Sequence, residues 1–292
     1  DHPYGNNHTW VGTLDRLKKH IAEHGTKPLV LGEAIAADTW VDPVPLIEKT
    51  GQDRPFWLPG FLDANVQWLK DRSADMGPSS VASLSRTSKD YALAMRKFQI
   101  ETYRREVPHG GYVVSVVRDF PFAGMGLMDF QGEPKWSADE WNWHGDRTLI
   151  LKTEEDRRSF RHNDTLKASL QLSNFGDTLK GAKAHLTITS FHEPTSSKPP
   201  ETLWTSDIDV PNLATGDVTE VCPISVPLNE FYGSENQQPR SPQQLALNVT
   251  LESDGQQIAG NTWTVWVTPP PAKHRPVKLH ASASKELIET LQ

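Results

Sequence analysis

The hydrophobic pattern of this 292-residue chain changes period near residue 148, and that change constrains the fold more than any other feature. From there to residue 268 the runs TLKASLQLSNFG, AKAHLTITSF, QQLALNVTLES and NTWTVWVTP alternate apolar and polar residues, with Gly, Asn, Pro and Asp turns between them. A period of two without any helical period is the pattern of half-buried strands. It predicts an immunoglobulin-like antiparallel β-sandwich over 148–269. The proline-rich TPPPAKHRP follows, so 270–292 reads as a stiff linker and the start of a truncated further domain.

Before residue 148 the pattern mixes helix and buried strand. Residues 11–24 place Val11, Leu14, Leu17 and Ile21 on one face, and Gly25 stands where a helix should stop. The run Pro28-Leu29-Val30-Leu31 then reads as a short strand buried on both faces, ending near Glu33. A second helix is predicted over 88–106, capped by Ser88, with Tyr91, Met95, Phe98 and Thr102 sharing a face. The apolar GGYVVSVV at 110–117 follows and ends at Arg118-Asp119. Helix, strand, helix, strand is the order of α/β winding, and polar residues at strand ends are where a (β/α) barrel builds its site. The expected fold class is therefore α/β plus all-β. Residues 1–147 form this α/β part, with the sandwich behind it; the family resemblance set out below implies that they are the C-terminal portion of a (β/α)8 TIM barrel.

Composition excludes several functions. Net charge is -7 and there is no basic stripe, which argues against a nucleic-acid partner. No stretch reaches the roughly 18 apolar residues of a membrane helix. The single cysteine, Cys222, rules out an intrachain disulfide and a cysteine metal site. His109, His144 and His162 lack ligand spacing, and P-loop and dinucleotide motifs are absent, so neither metal nor cofactor is expected. The opening DHPYGNNHTW has no basic and apolar leader regions and reads as mid-element. Compartment and oligomeric state stay open, with an extracytoplasmic location favoured. Triplets at Asn7, Asn163 and Asn248 match the glycosylation pattern.

DHPYGNNHTW, KPLVLGEAI and GGYVVSVVRDFPFAGMGLMDFQGEPK resemble, in order, strands six, seven and eight of the barrel in glycoside hydrolase family 2 and its clan. The resemblance implies a retaining glycosidase acting on O-glycosyl bonds, of β-galactosidase, β-glucuronidase or β-mannosidase kind. It matches Glu33 to the catalytic nucleophile and His2, Pro3 and Tyr4 to a motif ending the sixth strand. Gly126, Leu127, Asp129, Gly132, Pro134 and Lys135 match a segment after the eighth. The expected partner is an oligo- or polysaccharide substrate.

Retaining hydrolysis needs two carboxyl groups roughly 5–5.5 Å apart, one attacking the anomeric carbon and one protonating the leaving oxygen. Glu33 fits the first role, against the plainer alternatives of a helix cap or an ion-pair partner. The only Asn-Glu pair, Asn229-Glu230, falls inside the sandwich, so the acid/base is expected upstream of residue 1 and the chain reads as a fragment. Arg118 and Asp119 are candidates to bind sugar hydroxyls, or else form a structural pair at the rim. His2 and Tyr4 are candidates to line the site, and Trp40 to stack on a sugar ring. The rival readings are a non-catalytic carbohydrate-binding or scaffolding module seated on the sandwich, and a degenerate protein-interaction domain.

Overall fold

The computed structural model describes residues 7–25, 27–50, 60–120, 123–191, 199–232 and 241–269. His2 and Tyr4, and the expected further domain at 270–292, lie outside the described residues.

The first part holds helix α1 (Asn7–His24), strand β1 (Val30–Ile35), helices α2 (Pro43–Thr50) and α3 (Leu62–Glu106), and strand β2 (Gly111–Val114). β1 and β2 pair in parallel, Val30 opposite Gly111 and Leu31 opposite Tyr112, with a bulge before Ile35 meets Val114. Leu31 and Ile35 are fully buried against Leu14 of α1, Ile100 and Tyr103 of α3, and Trp143. The opposite face is open: Val30 is 57% exposed and Val113 51%.

This corrects the expected TIM barrel. Among the described residues the parallel sheet has two strands, and every other named strand belongs to a sheet built mostly of antiparallel pairs. The described residues are mainly β, with no alternation of helices and strands around a barrel among them. The apolar runs do make parallel strands, but an apolar run reports only that a strand can be buried, not how many strands share its sheet.

Helix α3 is 45 residues long and starts well before the predicted cap. It runs through Gly77 and Pro78, residue types that cost a helix interior about 1 and 3 kcal/mol. Ser88 sits inside the helix, donating to Ser85 O at 3.0 Å and accepting the Trp40 backbone N–H at 2.8 Å. Tyr91, expected on the packed face, is 64% exposed, whereas Arg96 and Gln99 are buried.

The second part contains β3 (Arg147–Thr153), β4 (Ser159–Arg161), β5 (Thr165–Asn174), β6 (Lys183–Ser190) and β7 (Thr202–Asp209). It continues with β8 (Asp217–Pro227), β9 (Gln243–Ser253) and β10 (Gln256–Thr268). One sheet runs β3-β5-β8 and the other β4-β10-β9-β6-β7, with β4 parallel to β10. Side chains from both sheets share one core, including Leu166, Leu170 and Leu172 from the first and Leu186, Leu247 and Val265 from the second. Each such buried side chain contributes about 1.5–3 kcal/mol by leaving water. Strict alternation sets the register. In β10, Asn261, Trp263, Val265 and Val267 face inward while Thr262, Thr264 and Trp266 face out.

Candidate functional site

The carboxyl ends of β1 and β2 are held by a polar network that no hydrophobic pattern announces. Arg96 of α3 donates through Nη1 to Ile35 O and Ser115 O, both at 2.9 Å, and through Nη2 to Met125 O. One guanidinium thus ties both strand ends to the following loop. Burial pushes its pKa down to about 10, opposed by Asp38 and Asp119, so it stays charged at neutral pH. Gln99 reads both backbone groups of Ala36, accepting the N–H at 3.1 Å and donating to the oxygen at 3.2 Å.

Beside them Lys135 Nζ donates to Asp119 Oδ1, Thr39 Oγ1 and Gly124 O, each at 2.7 Å. Asp119 Oδ1 also accepts the Gly126 N–H at 2.7 Å. Burial raises the Asp119 pKa and lowers that of Lys135, and each partner opposes the other's shift. A Cβ on Gly126 would overlap backbone atoms of Arg118, Asp119 and Met128, which is why the loop needs glycine there.

The sequence candidates therefore separate. Glu33 is exposed on β1. Asp119 is buried and engaged by Lys135, and Arg118 donates to Phe130 O, so both side chains are turned into the loop after β2. Trp40 is half-buried beside Trp68, ring centroids 5.3 Å apart and tilted by 53°. Among the described residues no group of three or more His, Cys, Asp or Glu side chains is arranged to hold a metal ion.

A different site lies between α3 and the sandwich. Glu101 of α3 is buried and accepts from Asn261 Nδ2 at 2.9 Å and Trp263 Nε1 at 2.9 Å, both on β10. Asn261 donates as well to Leu149 O of β3 at 2.8 Å. Lys97, one turn earlier, donates to Thr262 O and lies over the rings of Trp143 and Trp263, 5.7 and 5.3 Å from their centroids. Desolvation raises the Glu101 pKa and lowers that of Lys97, each offset by the other's charge. At the helix end Arg105 holds Asp156 with two bonds, at 2.9 and 2.8 Å.

Above this clamp opens a cleft of about 780 Å3. Leu93, Ala94 and Phe98 of α3 supply an apolar patch, and Asn142, Thr250, Gln257 and Thr264 line the walls. Sequence reasoning missed the cleft because Lys97 and Glu101 stand four apart, the spacing of a solvent-exposed helix pair. The inward alternation of Asn261 and Trp263 was the available signal.

A family model described as a domain of unknown function, DUF8488, matches residues 164–269. No curated protein matches the chain. Among solved structures, the sporulation control protein Spo0M of Bacillus subtilis is 10% identical, with a TM-score of 0.31 over 44% of this chain and 51% of that one. A Listeria innocua β-glucosidase with isofagomine is 11% identical, TM-score 0.27, covering 41% of this chain and 16% of its own. Red sea bream transglutaminase is 12% identical, TM-score 0.29, covering 46% and 18%. This chain spans about half of the first and under a fifth of the other two. Likenesses this low and this varied carry no argument about fold or function. The family match and the strand topology correct the resemblance to glycoside hydrolase family 2: neither supports that family or a β-galactosidase-like barrel enzyme. No helix among the described residues is long and apolar enough to cross a membrane.

Proposed function

We propose that the chain recognises carbohydrate, and that the cleft between α3 and β9–β10 is where it does so. The observation that carries this reading is the make-up of the cleft, where apolar Leu93, Ala94, Phe98 and Trp143 stand together with amides, hydroxyls and charged side chains that are paired with one another. A sugar has the complementary build, with C–H groups on its faces and hydroxyls around its edge. The volume falls in the range of about 300–1,000 Å3 common to small-ligand sites. Isothermal titration of the 292-residue chain against a panel of oligosaccharides tests it. At least one glycan should give a saturable heat that Gln257→Ala weakens. Silence across the panel, or binding untouched by both Gln257→Ala and Asn142→Ala, overturns the reading.

Hydrolysis is a second reading, resting on Glu33 alone. It is favoured by the exposure of this carboxylate on a parallel strand whose Leu31 and Ile35 pack against α3. A nucleophile needs that kind of rigid support. A 2-deoxy-2-fluoro glycoside bearing a dinitrophenolate leaving group tests it, because such a group departs without a general acid. Glu33 oxygen would bond to the anomeric carbon as dinitrophenolate leaves, and peptide mass mapping would find the sugar on Glu33. No label, or label on another residue, counts against this role.

A further inference from the structure

Resting on the carbohydrate reading above, the cleft geometry also assigns the charge class of its ligand. We infer that the site takes an uncharged saccharide of about two to three units and discriminates against uronates, sulfated glycans and amino sugars. The argument is an accounting of the ionised groups in its walls.

Three cations line the cleft: Arg86, Lys97 and Arg158. Arg86 is held by Asp90 at 2.8 Å and by Glu140 at 3.0 Å. Arg158 donates to Leu151 O and to Thr153 Oγ1, each at 2.7 Å. Lys97 is spent on Thr262 O, on two tryptophan rings, and on Glu101 at 3.8 Å. The three carboxylates are equally engaged. Asp90 and Glu140 share Arg86; Glu140 also accepts from the Ser137 N–H at 2.8 Å, and Glu101 takes Asn261 and Trp263. Pulling the enclosed Lys97 or Arg158 toward an anionic ligand would leave Glu101 or a backbone oxygen unpaired, and at the exposed Arg86 the ligand would compete with Asp90 and Glu140. A cationic ligand would meet the mirror-image cost.

The wall groups left over are neutral. They are the amides of Asn142 and Gln257 and the hydroxyls of Thr250 and Thr264. Amides and hydroxyls both donate and accept, and so does a sugar hydroxyl, whereas a carboxylate or sulfate only accepts. The acceptor lone pairs of this set would go unused against a carboxylate or sulfate group.

Titration of the intact chain with cellotriose, mannotriose, xylotriose, trigalacturonate and a glucosamine trimer tests the inference. A neutral trimer should bind, with both charged trimers about tenfold or more weaker, a difference of 1.4 kcal/mol. Arg86→Ala, which leaves Asp90 and Glu140 without their shared cation, should raise affinity for the glucosamine trimer while circular dichroism shows the fold kept. A charged trimer binding the wild-type chain as tightly as any neutral one overturns the charge assignment and keeps the carbohydrate reading. An Arg86→Ala chain with unchanged preference also overturns it. If no trimer of any charge binds, the carbohydrate reading itself falls.

Discussion

A buried ammonium is tolerable only when its protons find acceptors, and Lys135 meets three oxygens with its side chain 3% exposed and that of Asp119 2%. Removing one partner strands the other charge. Lys135→Met should therefore lower unfolding free energy by about 3–5 kcal/mol, read from urea denaturation, and Lys135→Met with Asp119→Leu should recover part of that loss. His144 gives a pH prediction. Arg104 Nε donates to Tyr112 Oη at 2.9 Å, which leaves the phenol proton for His144 Nε2 at 2.8 Å. Burial, with Arg104 nearby, holds the His144 pKa below its usual value of 6.5. Above that value neither folded nor unfolded chain carries the proton. Below it the unfolded chain takes up a proton that the folded one resists, so stability falls as pH drops through and below about 6.5. His144→Gln should flatten the fall in urea midpoint between pH 7.5 and 5.5 relative to wild type. Neither network was legible in the sequence, because Arg96 and Lys135 are residue types that ordinarily face water and are buried here, and His144 half-buried, by groups distant along the chain.

At the scale of elements, periodicity was informative where one face alone is buried. The run QQLALNVTLES forms β9, with Leu245, Leu247, Val249 and Leu251 turned inward, and NTWTVWVT ends β10, where Trp263, Val265 and Val267 turn inward and Trp266 outward. It was weaker for α3, whose buried face includes Arg96, Gln99 and Glu101. A helix that hides polar side chains has no apolar stripe to read. The same helix is what joins the two parts, so Glu101→Ala, which leaves Asn261 and Trp263 without their acceptor, should destabilise the chain by about 1–3 kcal/mol. Its mark would be earlier protease cleavage in the 142–146 connection than elsewhere. Ser88→Ala removes the acceptor for the Trp40 N–H and should cost about 1 kcal/mol in the same urea assay.

For the whole molecule, the change of period near residue 148 falls one residue inside β3, so the place where strand-rich chain begins was readable. The architecture before it was not. Two apolar runs flanking a long helix satisfy a barrel, an open sheet and an isolated parallel pair equally well, and only strand pairing decides among them. The cleft where α3 meets the second part of the chain was not legible for a related reason: it is lined by residues from separate elements, so no single run in the sequence marks it. Hydrogen–deuterium exchange with and without the tightest-binding neutral oligosaccharide locates the ligand directly. The account predicts added protection in 93–101 of α3 and 257–264 of β10. Protection confined to 30–40 and 115–126, or no glycan that binds at all, would contradict it.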